Sequence, residues 1–372
     1  MFLKEITLKN FRNYSDLFLS FPQGRSILYG NNAQGKTNLL ESIYVLGLTK
    51  SHRSYVDQSL IAQGQDFARI NGTFSINELD TNLELTLQEK KKRLKVDGDL
   101  IKKVSDYVSK VNIIIFYPED LELMKGAPNT RRRYFNLELS QLNHTYLTVL
   151  NDYNKLLKMR NDYLKDHVGV DFDDIYYQIL TRYFIDKATF LYRMRKKYID
   201  RINEFVEEYF LKISGKEGFS IRYEPGIDIE HYSKEGIEEA LVQKLEQLKE
   251  AEKKVRTTLA GPHRDDYSFY VDDMNLKEYG SQGQQRMAIL ALKLSEIPIF
   301  KQQTGEYPIL LLDDVFSELD ETKRNNLLCC LPRDIQTIIT TTDLTNLDED
   351  LLNTSKLVEI ECGNVIKMKE VQ

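Results

Sequence analysis

Eight residues, Gly30-Asn31-Asn32-Ala33-Gln34-Gly35-Lys36-Thr37, constrain this chain more than any others. They follow the spacing G-x-x-x-x-G-K-[ST]. The glycines let the backbone curl so that successive N–H groups converge on the oxygens of an anion. The β-rich run Ser26-Ile27-Leu28-Tyr29 precedes the loop, and residues 38–48 follow with Leu39, Leu40, Ile43 and Leu46 at helical spacing. Strand, glycine loop and helix in that order predict an α/β fold with phosphate held at a helix N-terminus. In that setting Lys36 reaches the β- and γ-phosphates of a nucleoside triphosphate, and Thr37 gives a hydroxyl to Mg²⁺.

The second half of such a site is Ile309-Leu310-Leu311-Leu312-Asp313-Asp314. An apolar strand ends there in two carboxylates, at the sheet edge where α/β proteins bind ligands. Asp313 is placed to hold Mg²⁺, and Asp314 to orient or deprotonate an attacking water. Far more chain separates Lys36 from Asp313 than a minimal domain needs, so a segment is inserted. The expected organisation is residues 1–118 and 251–372 as one α/β domain, with a helical lobe at 119–250.

The interval supports that division. Residues 67–74 and 83–87 alternate as half-buried strands do, and Lys90-Lys91-Lys92-Arg93 with Asp97-Gly98 suggests a charged hairpin. Phe135, Leu139, Leu142, Tyr146, Val149, Tyr153 and Leu156 form a stripe predicting one long helix, broken at Gly169. Leu180, Phe184, Leu191, Met194, Tyr198, Ile202, Phe205 and Tyr209, at helical spacing, predict a second helical region. Strands are expected again at 268–271 and 335–341.

Composition narrows the setting. Apolar residues are 41% of the chain and charged residues 29%, enough for a real core. No apolar run is long enough to span a bilayer, and the start MFLKEITLKNF lacks a signal-peptide core. We therefore expect a cytoplasmic protein with no membrane contact. The three cysteines, Cys329, Cys330 and Cys362, fit no disulfide framework or zinc spacing. Net charge is −6, yet residues 131–165 and 182–201 are locally basic. A local basic surface can bind phosphates on an acidic protein.

Tyr279-Gly280-Ser281-Gln282-Gly283-Gln284 precedes an apolar helix. Taken alone, Ser281 reads as an N-cap. Placed just before the Asp-Asp strand, the run resembles the signature of ABC-type ATPases. There the serine and the helix N-terminus face a γ-phosphate bound by the opposite subunit. Ser317-Glu318-Leu319-Asp320 is similar to the D-loop of that class, which lies across a dimer interface.

Three further stretches are Leu8-Lys9-Asn10-Phe11-Arg12-Asn13-Tyr14, Phe116-Tyr117-Pro118-Glu119-Asp120-Leu121 with Arg131-Arg132-Arg133, and Ala260-Gly261-Pro262-His263-Arg264-Asp265-Asp266. With the motifs above they run in family order through nearly the whole chain. It resembles the RecF family of bacterial recombination mediators, relatives of SMC-type ATPase heads. Residues 261–266 receive no role from spacing.

The resemblance implies an ABC/SMC-type P-loop ATPase head with an inserted α-helical lobe. It implies ATP with Mg²⁺, an ATP-sandwiched homodimer, and binding to gapped or junction DNA. RecO, RecR and RecA are the implied partners, with RecA loaded on single strands. The short insertion suits this family better than an SMC protein with its long coiled coil. Two departures imply slow turnover. No Gln stands at 117–120, and no His at Thr340-Thr341-Thr342-Asp343. Candidate DNA contacts are residues 90–93, Arg131, Arg132, Arg133, Arg193, Arg195, Lys196 and Lys197. The competing readings are a transporter's nucleotide-binding subunit and an ATP-switched scaffold with incidental hydrolysis. DNA-stimulated turnover separates the first reading from the scaffold.

Overall fold

The alternating apolar residues at the start of the chain form β1 (Phe2–Phe11), which turns back through β2 (Tyr14–Ser20). β4 (Phe67–Ile76), β5 (Leu79–Gln88), β6 (Lys91–Val96) and β7 (Asp99–Ile101) complete an antiparallel sheet of order β2-β1-β4-β5-β6-β7. Period-two alternation gives it two unlike faces. Leu3, Ile6, Leu8, Ile70, Phe74, Leu83, Leu85 and Leu94 are buried on one, while Thr7, Lys9, Arg69 and Arg93 stand exposed on the other. Gly72 permits a close approach to the helix Lys36–Leu48, since a Cβ there would lie 2.7 Å from a Leu46 methyl. The coordinates form a computed structural model, which describes all residues except Tyr55, Lys90, 167–173, Asn346 and 371–372. The break expected at Gly169 and the first residue of the 90–93 basic run thus lie outside the described residues.

The second sheet holds β3 (Arg25–Tyr29), β8 (Ile113–Phe116), β12 (Ile309–Asp313), β13 (Thr337–Thr341), β14 (Ser355–Glu361) and β15 (Asn364–Lys369). Its order is β15-β14-β3-β13-β12-β8, parallel throughout except for the β14–β15 hairpin. β8, β12 and β13 are buried at every position, which is why they read as continuous apolar runs rather than alternations.

The chain divides into two compact units. The first is Met1–Asp120, Tyr209–Lys216 and Ile289–Gln372; the second is Leu121–Glu208 and Glu217–Ala288. The first holds both large sheets. The second holds the helices Pro128–Leu142, His144–Asp166, Ile175–Asn203 and Lys234–Val255. Beside them lies a small sheet of β9 (Phe219–Glu224), β10 (Asp266–Val271) and β11 (Met274–Asn275), in the order β11-β10-β9.

The structure breaks the one long helix expected first, and the second helical region consists of two helices. The first stops at Asn143, whose backbone is extended (φ −145°, ψ 104°), and its side-chain Oδ1 caps the next helix by accepting from Tyr146 N–H at 3.1 Å. The apolar stripe continues across the break, so periodicity alone hides it. The second ends at Asn203, and a separate helix, Val206–Ser214, follows. The helix Lys234–Val255 escapes the sequence reading. Its N-cap Ser233 accepts from Gly236 N–H, and Ile237, Leu241 and Leu245 form a narrow buried stripe between charged residues.

Candidate nucleotide-binding site

The glycine loop joins β3 to the helix Lys36–Leu48 through left-handed backbone at Gly30 (φ 143°), Ala33 (φ 64°) and Gly35 (φ 117°). A Cβ on Gly30 would sit 2.3 Å from the Ile360 carbonyl oxygen, and one on Gly35 2.7 Å from Asn13 Nδ2. Glycine is therefore required by space as well as by torsion. Neighbours from both ends of the chain fix the loop. The Gln34 carbonyl accepts from Gly363 N–H at 2.9 Å and Asn13 Nδ2 at 3.2 Å, its Oε1 accepts from Cys362 N–H at 2.7 Å, and Tyr14 Oη donates to Gly35 O at 3.0 Å. Lys36 Nζ donates to the Gly30 and Asn31 carbonyls at 2.6 and 2.7 Å. Burial pushes its pKa down, while the charges of Asp314 and Asp313 oppose that shift.

The two carboxylates reach this loop from the end of β12. Thr37 Oγ1 donates to Asp313 Oδ1 at 2.9 Å, and Thr340 Oγ1 on β13 donates to the same oxygen at 2.7 Å. Burial pushes the Asp313 carboxyl up; these two bonds and the charge of Arg53 oppose it. Asp314 adopts left-handed backbone (φ 52°), its N–H donates to Thr340 Oγ1 at 2.9 Å, and its Oδ1 is buried with no hydrogen-bond partner. A hydroxyl, a carboxylate and a second, orphaned carboxylate oxygen make a hard-oxygen set that fits Mg²⁺. No group of three His, Cys, Asp or Glu able to hold a metal occurs among the described residues.

The two family departures have definite structural occupants. Where a Gln is usual after β8, Tyr117 N–H donates to Asp120 Oδ2 at 2.9 Å, and the same oxygen pairs with buried Lys293 at 2.5 Å. Lys293 Nζ also donates to the Ile115 carbonyl. After β13, Asp343 accepts from Thr345 and so caps its own turn.

Several residues near the loop were missed as site candidates. Buried Glu41 takes a two-pronged bond from Arg12, at 2.9 and 2.8 Å, and a third from Ser51 Oγ at 2.5 Å. Arg53 donates to Asn38 Oδ1 at 3.0 Å, and Asn38 donates to Asn13 Oδ1 at 2.8 Å. Arg12 and Asn13 belong to the stretch at 8–14 that carried the family resemblance without a role. Its structural meaning is support of the phosphate loop from below.

Ser281 caps the helix Gln282–Thr304 in a reciprocal box. Its Oγ accepts from Gln284 N–H at 3.2 Å, and its own N–H donates to Gln284 Oε1 at 3.0 Å. Gln282 and Gly283 are exposed, and a Cβ on Gly283 would meet nothing within 4 Å. The cap reading is thus realised, and the helix N-terminus stands open at the surface of its unit. In the first unit, Ser317 Oγ donates to the Asp314 carbonyl at 2.8 Å, and Asp320 caps the helix Glu321–Cys329.

The basic candidates separate sharply, and residues 261–266 explain why. Arg195 and Asp265 are both buried and pair at 2.5 Å; Asp265 also accepts from Tyr223 Oη and from Gly226 N–H at 3.0 Å. Arg131 grips Asp266 with two bonds, at 2.7 and 2.8 Å, and Arg132 donates to the Asp265 carbonyl at 2.7 Å. His263 Nδ1 meets Tyr153 Oη at 2.6 Å. The 261–266 run is therefore the polar knot of the second unit. Arg131 and Arg195 are each 2% exposed, so they hold the lobe together and do not face DNA. Arg132 and Arg133 are half-buried, and Lys196 is paired with Asp200. Arg193 and Lys197 stand exposed.

A parallel sheet with this loop, this carboxylate pair and an antiparallel flanking sheet defines the head of an SMC/ABC-type ATPase. The family described as "RecF/RecN/SMC N terminal domain" matches residues 2–361. The DNA replication and repair protein RecF of Halalkalibacterium halodurans is 42% identical over 369 residues, covering 99% of this chain and 100% of that protein. That of Listeria monocytogenes is 41% identical over the same length, again covering 99% and 100%. A solved structure of the recombination mediator protein RecF-ATP in the RecFOR pathway superposes with TM-score 0.89 at 29% identity, covering 99% of this chain and 98% of the other. An Smc head domain from Pyrococcus furiosus, at 15% identity and TM-score 0.54 over 99% and 96% of the two chains, shares the fold. The chain belongs to the RecF family.

Proposed function

We propose that this protein is an ATP-dependent DNA-binding clamp of recombinational repair. Its ATP site is Gly30 to Thr37 with Asp313 and Asp314. The observation that carries the reading is the convergence of Thr37 and Asp313 on one point at the mouth of the loop, 2.9 Å apart. Bound Mg²⁺-ATP would supply a polarised γ-phosphoryl group and the energy of its hydrolysis. Thr37 and Asp313 would hold the cation, Lys36 would neutralise the phosphates, and Asp314 would orient the water. The relative solved with ATP supports the choice of nucleotide.

Ser281, Gln282, Gly283 and Gln284 would meet the γ-phosphate of a second copy, with Ser317 and Asp320 at the joint. ATP would thus be sandwiched in a homodimer. The reciprocal cap at Ser281 supports this, because it holds the helix N-terminus open and its serine at the surface. DNA at gaps or junctions is the macromolecular ligand, with Arg193 and Lys197 as exposed contacts in the second unit. Through the family, RecO and RecR are partners and RecA is the protein loaded. Hydrolysis is slow, because no Gln stands at 117–120 and no His at 340–343, where related ATPases place those groups. The protein works in the cytoplasm; no described helix is long and apolar enough to cross a membrane.

The test is anisotropy of a labelled gapped duplex with ATP, with ADP and without nucleotide, for the native chain, Lys36→Ala and Ser281→Arg. Tight binding with ATP alone, lost in both variants, is expected. Equal binding in every nucleotide state would overturn the clamp and leave the scaffold reading.

A further inference from the structure

The outer face of the antiparallel sheet carries a row of cations that strand register makes explicit. Lys9 on β1 is directly opposite Arg69 on β4; Arg69 is opposite Thr86 on β5; and Thr86 is opposite Arg93 on β6. One step along the strands, Lys91 closes the next rung beside Gln88 and Phe67. Lys9, Arg69, Arg93 and Lys91 are all exposed. Like charges directly opposite across a ladder repel and weaken a sheet, so their placement calls for an external partner.

The neighbouring lysines make the contrast. Lys4 pairs with Asp80 at 2.5 Å, Lys92 with Asp57 at 2.8 Å, and Lys95 with Glu84 at 2.9 Å. Among the described residues none of Lys9, Arg69, Arg93 and Lys91 has an ion pair, although Asp16 is the register neighbour of Lys9. The same sheet thus neutralises three of its cations and leaves four presented together. Adjacent strands lie about 4.8 Å apart, so Lys9 to Arg93 spans about 14 Å. A row of that length with two always-charged guanidinium groups fits a polyanion, not a single small anion.

We propose that this face binds the phosphate backbone of DNA through Lys9, Arg69, Arg93 and Lys91. The inference rests on the DNA-binding reading above and adds the surface. Contacts of this kind position the duplex and read no sequence.

The salt dependence of binding tests it. Each phosphate contact adds about 0.9 to the slope of log affinity against log salt, hence about eightfold in affinity at 0.1 M. With ATP present, Arg69→Ala with Arg93→Ala is expected to lower the slope by about two and the affinity at 0.1 M by about 60-fold. Lys367→Ala with Lys369→Ala removes the same charge from exposed positions of β15 and is expected to change neither. Lys9→Ala with Lys91→Ala repeats the experiment at the other half of the row and stands in if the first pair misfolds. Unchanged slopes in both row pairs, or an equal loss in the β15 control, would overturn the surface while leaving DNA binding intact. A native chain that binds no DNA in any nucleotide state would overturn both readings.

Discussion

Thr37 Oγ1 donates a 2.9 Å hydrogen bond to Asp313 Oδ1 across 276 residues of sequence. That bond joins the phosphate loop to the end of β12, and Thr340 adds a second bond to the same oxygen from β13. The end of β12, β13 and the helix that follows the loop after β3 therefore meet at one carboxylate. The site is a property of sheet order, and each of its parts can be removed separately.

Lys36 is buried and donates two short bonds to the loop, so its ammonium is fixed at the loop's centre. Hydrogen bonds to charged groups are worth about 1.5–3 kcal/mol each. Lys36→Ala should weaken ATP binding by at least about a hundredfold. Titration with a fluorescent ATP analogue measures this; an affinity within threefold of the native value would remove Lys36 from the site.

Asp314 has a buried Oδ1 without a donor and backbone held by Thr340. Asp314→Asn keeps the shape and removes the base. ATP binding should persist, while turnover should fall by about 10²–10⁴-fold. A single-turnover assay separates the two quantities. Undiminished turnover would exclude Asp314 from water activation.

Breaking a buried ion pair by removing one partner costs about 3–5 kcal/mol. Arg195→Ala leaves the buried Asp265 carboxyl without its cation among tyrosines, and should destabilise the second unit by about that amount in urea unfolding. Arg193→Ala, two residues away and exposed, should stay within about 0.5 kcal/mol of native. If both variants matched the native curve, Arg195 would be free to serve elsewhere.

His52 lies between Tyr44 and Tyr117, with ring centroids 5.2 and 4.7 Å away, and neither ring nitrogen has a hydrogen-bond partner. Burial, and then the charges of Arg53, Lys293 and Arg12, push its pKa from 6.5 down to about 3. The folded value lies below the unfolded one. As pH falls below 6.5 the unfolded chain takes up a proton that the fold refuses until about pH 3. Stability is complete above that window and is lost through it, by about 2 kcal/mol at pH 5. Urea midpoints at pH 7.5 and pH 5 should therefore differ more for the native chain than for His52→Gln. Equal pH sensitivity would place His52 in contact with water.

Much of this was legible in the chain because it depends on local pattern. The glycine loop needs left-handed backbone at Gly30 and Gly35, and only a few residue types supply it, so the motif is visible as text. β12 and β13 are buried on both faces and so read as apolar runs. Other parts depend on contacts that no window of sequence contains. Arg195 and Arg193 look alike in a basic run; one faces Asp265 and the other faces solvent, because two residues on a helix point to different sides. Asn143 interrupts an apolar stripe without disturbing its period. The role of 261–266 depends on Arg131 and Arg195, which reach Asp266 and Asp265 from two different helices.

The strand order also bears on how the protein is made. β3 bears the phosphate loop, yet its hydrogen-bonded neighbours are β13 and β14, and Gln34 leans on the turn at Cys362 and Gly363. During synthesis the loop leaves the ribosome early and waits, with both edges of its strand unpaired, for nearly all of the remaining chain. A nascent fragment lacking β13 and β14 has the motif and lacks the site. Nucleotide binding therefore reports completed synthesis, and the waiting strand is where a chaperone has most to protect.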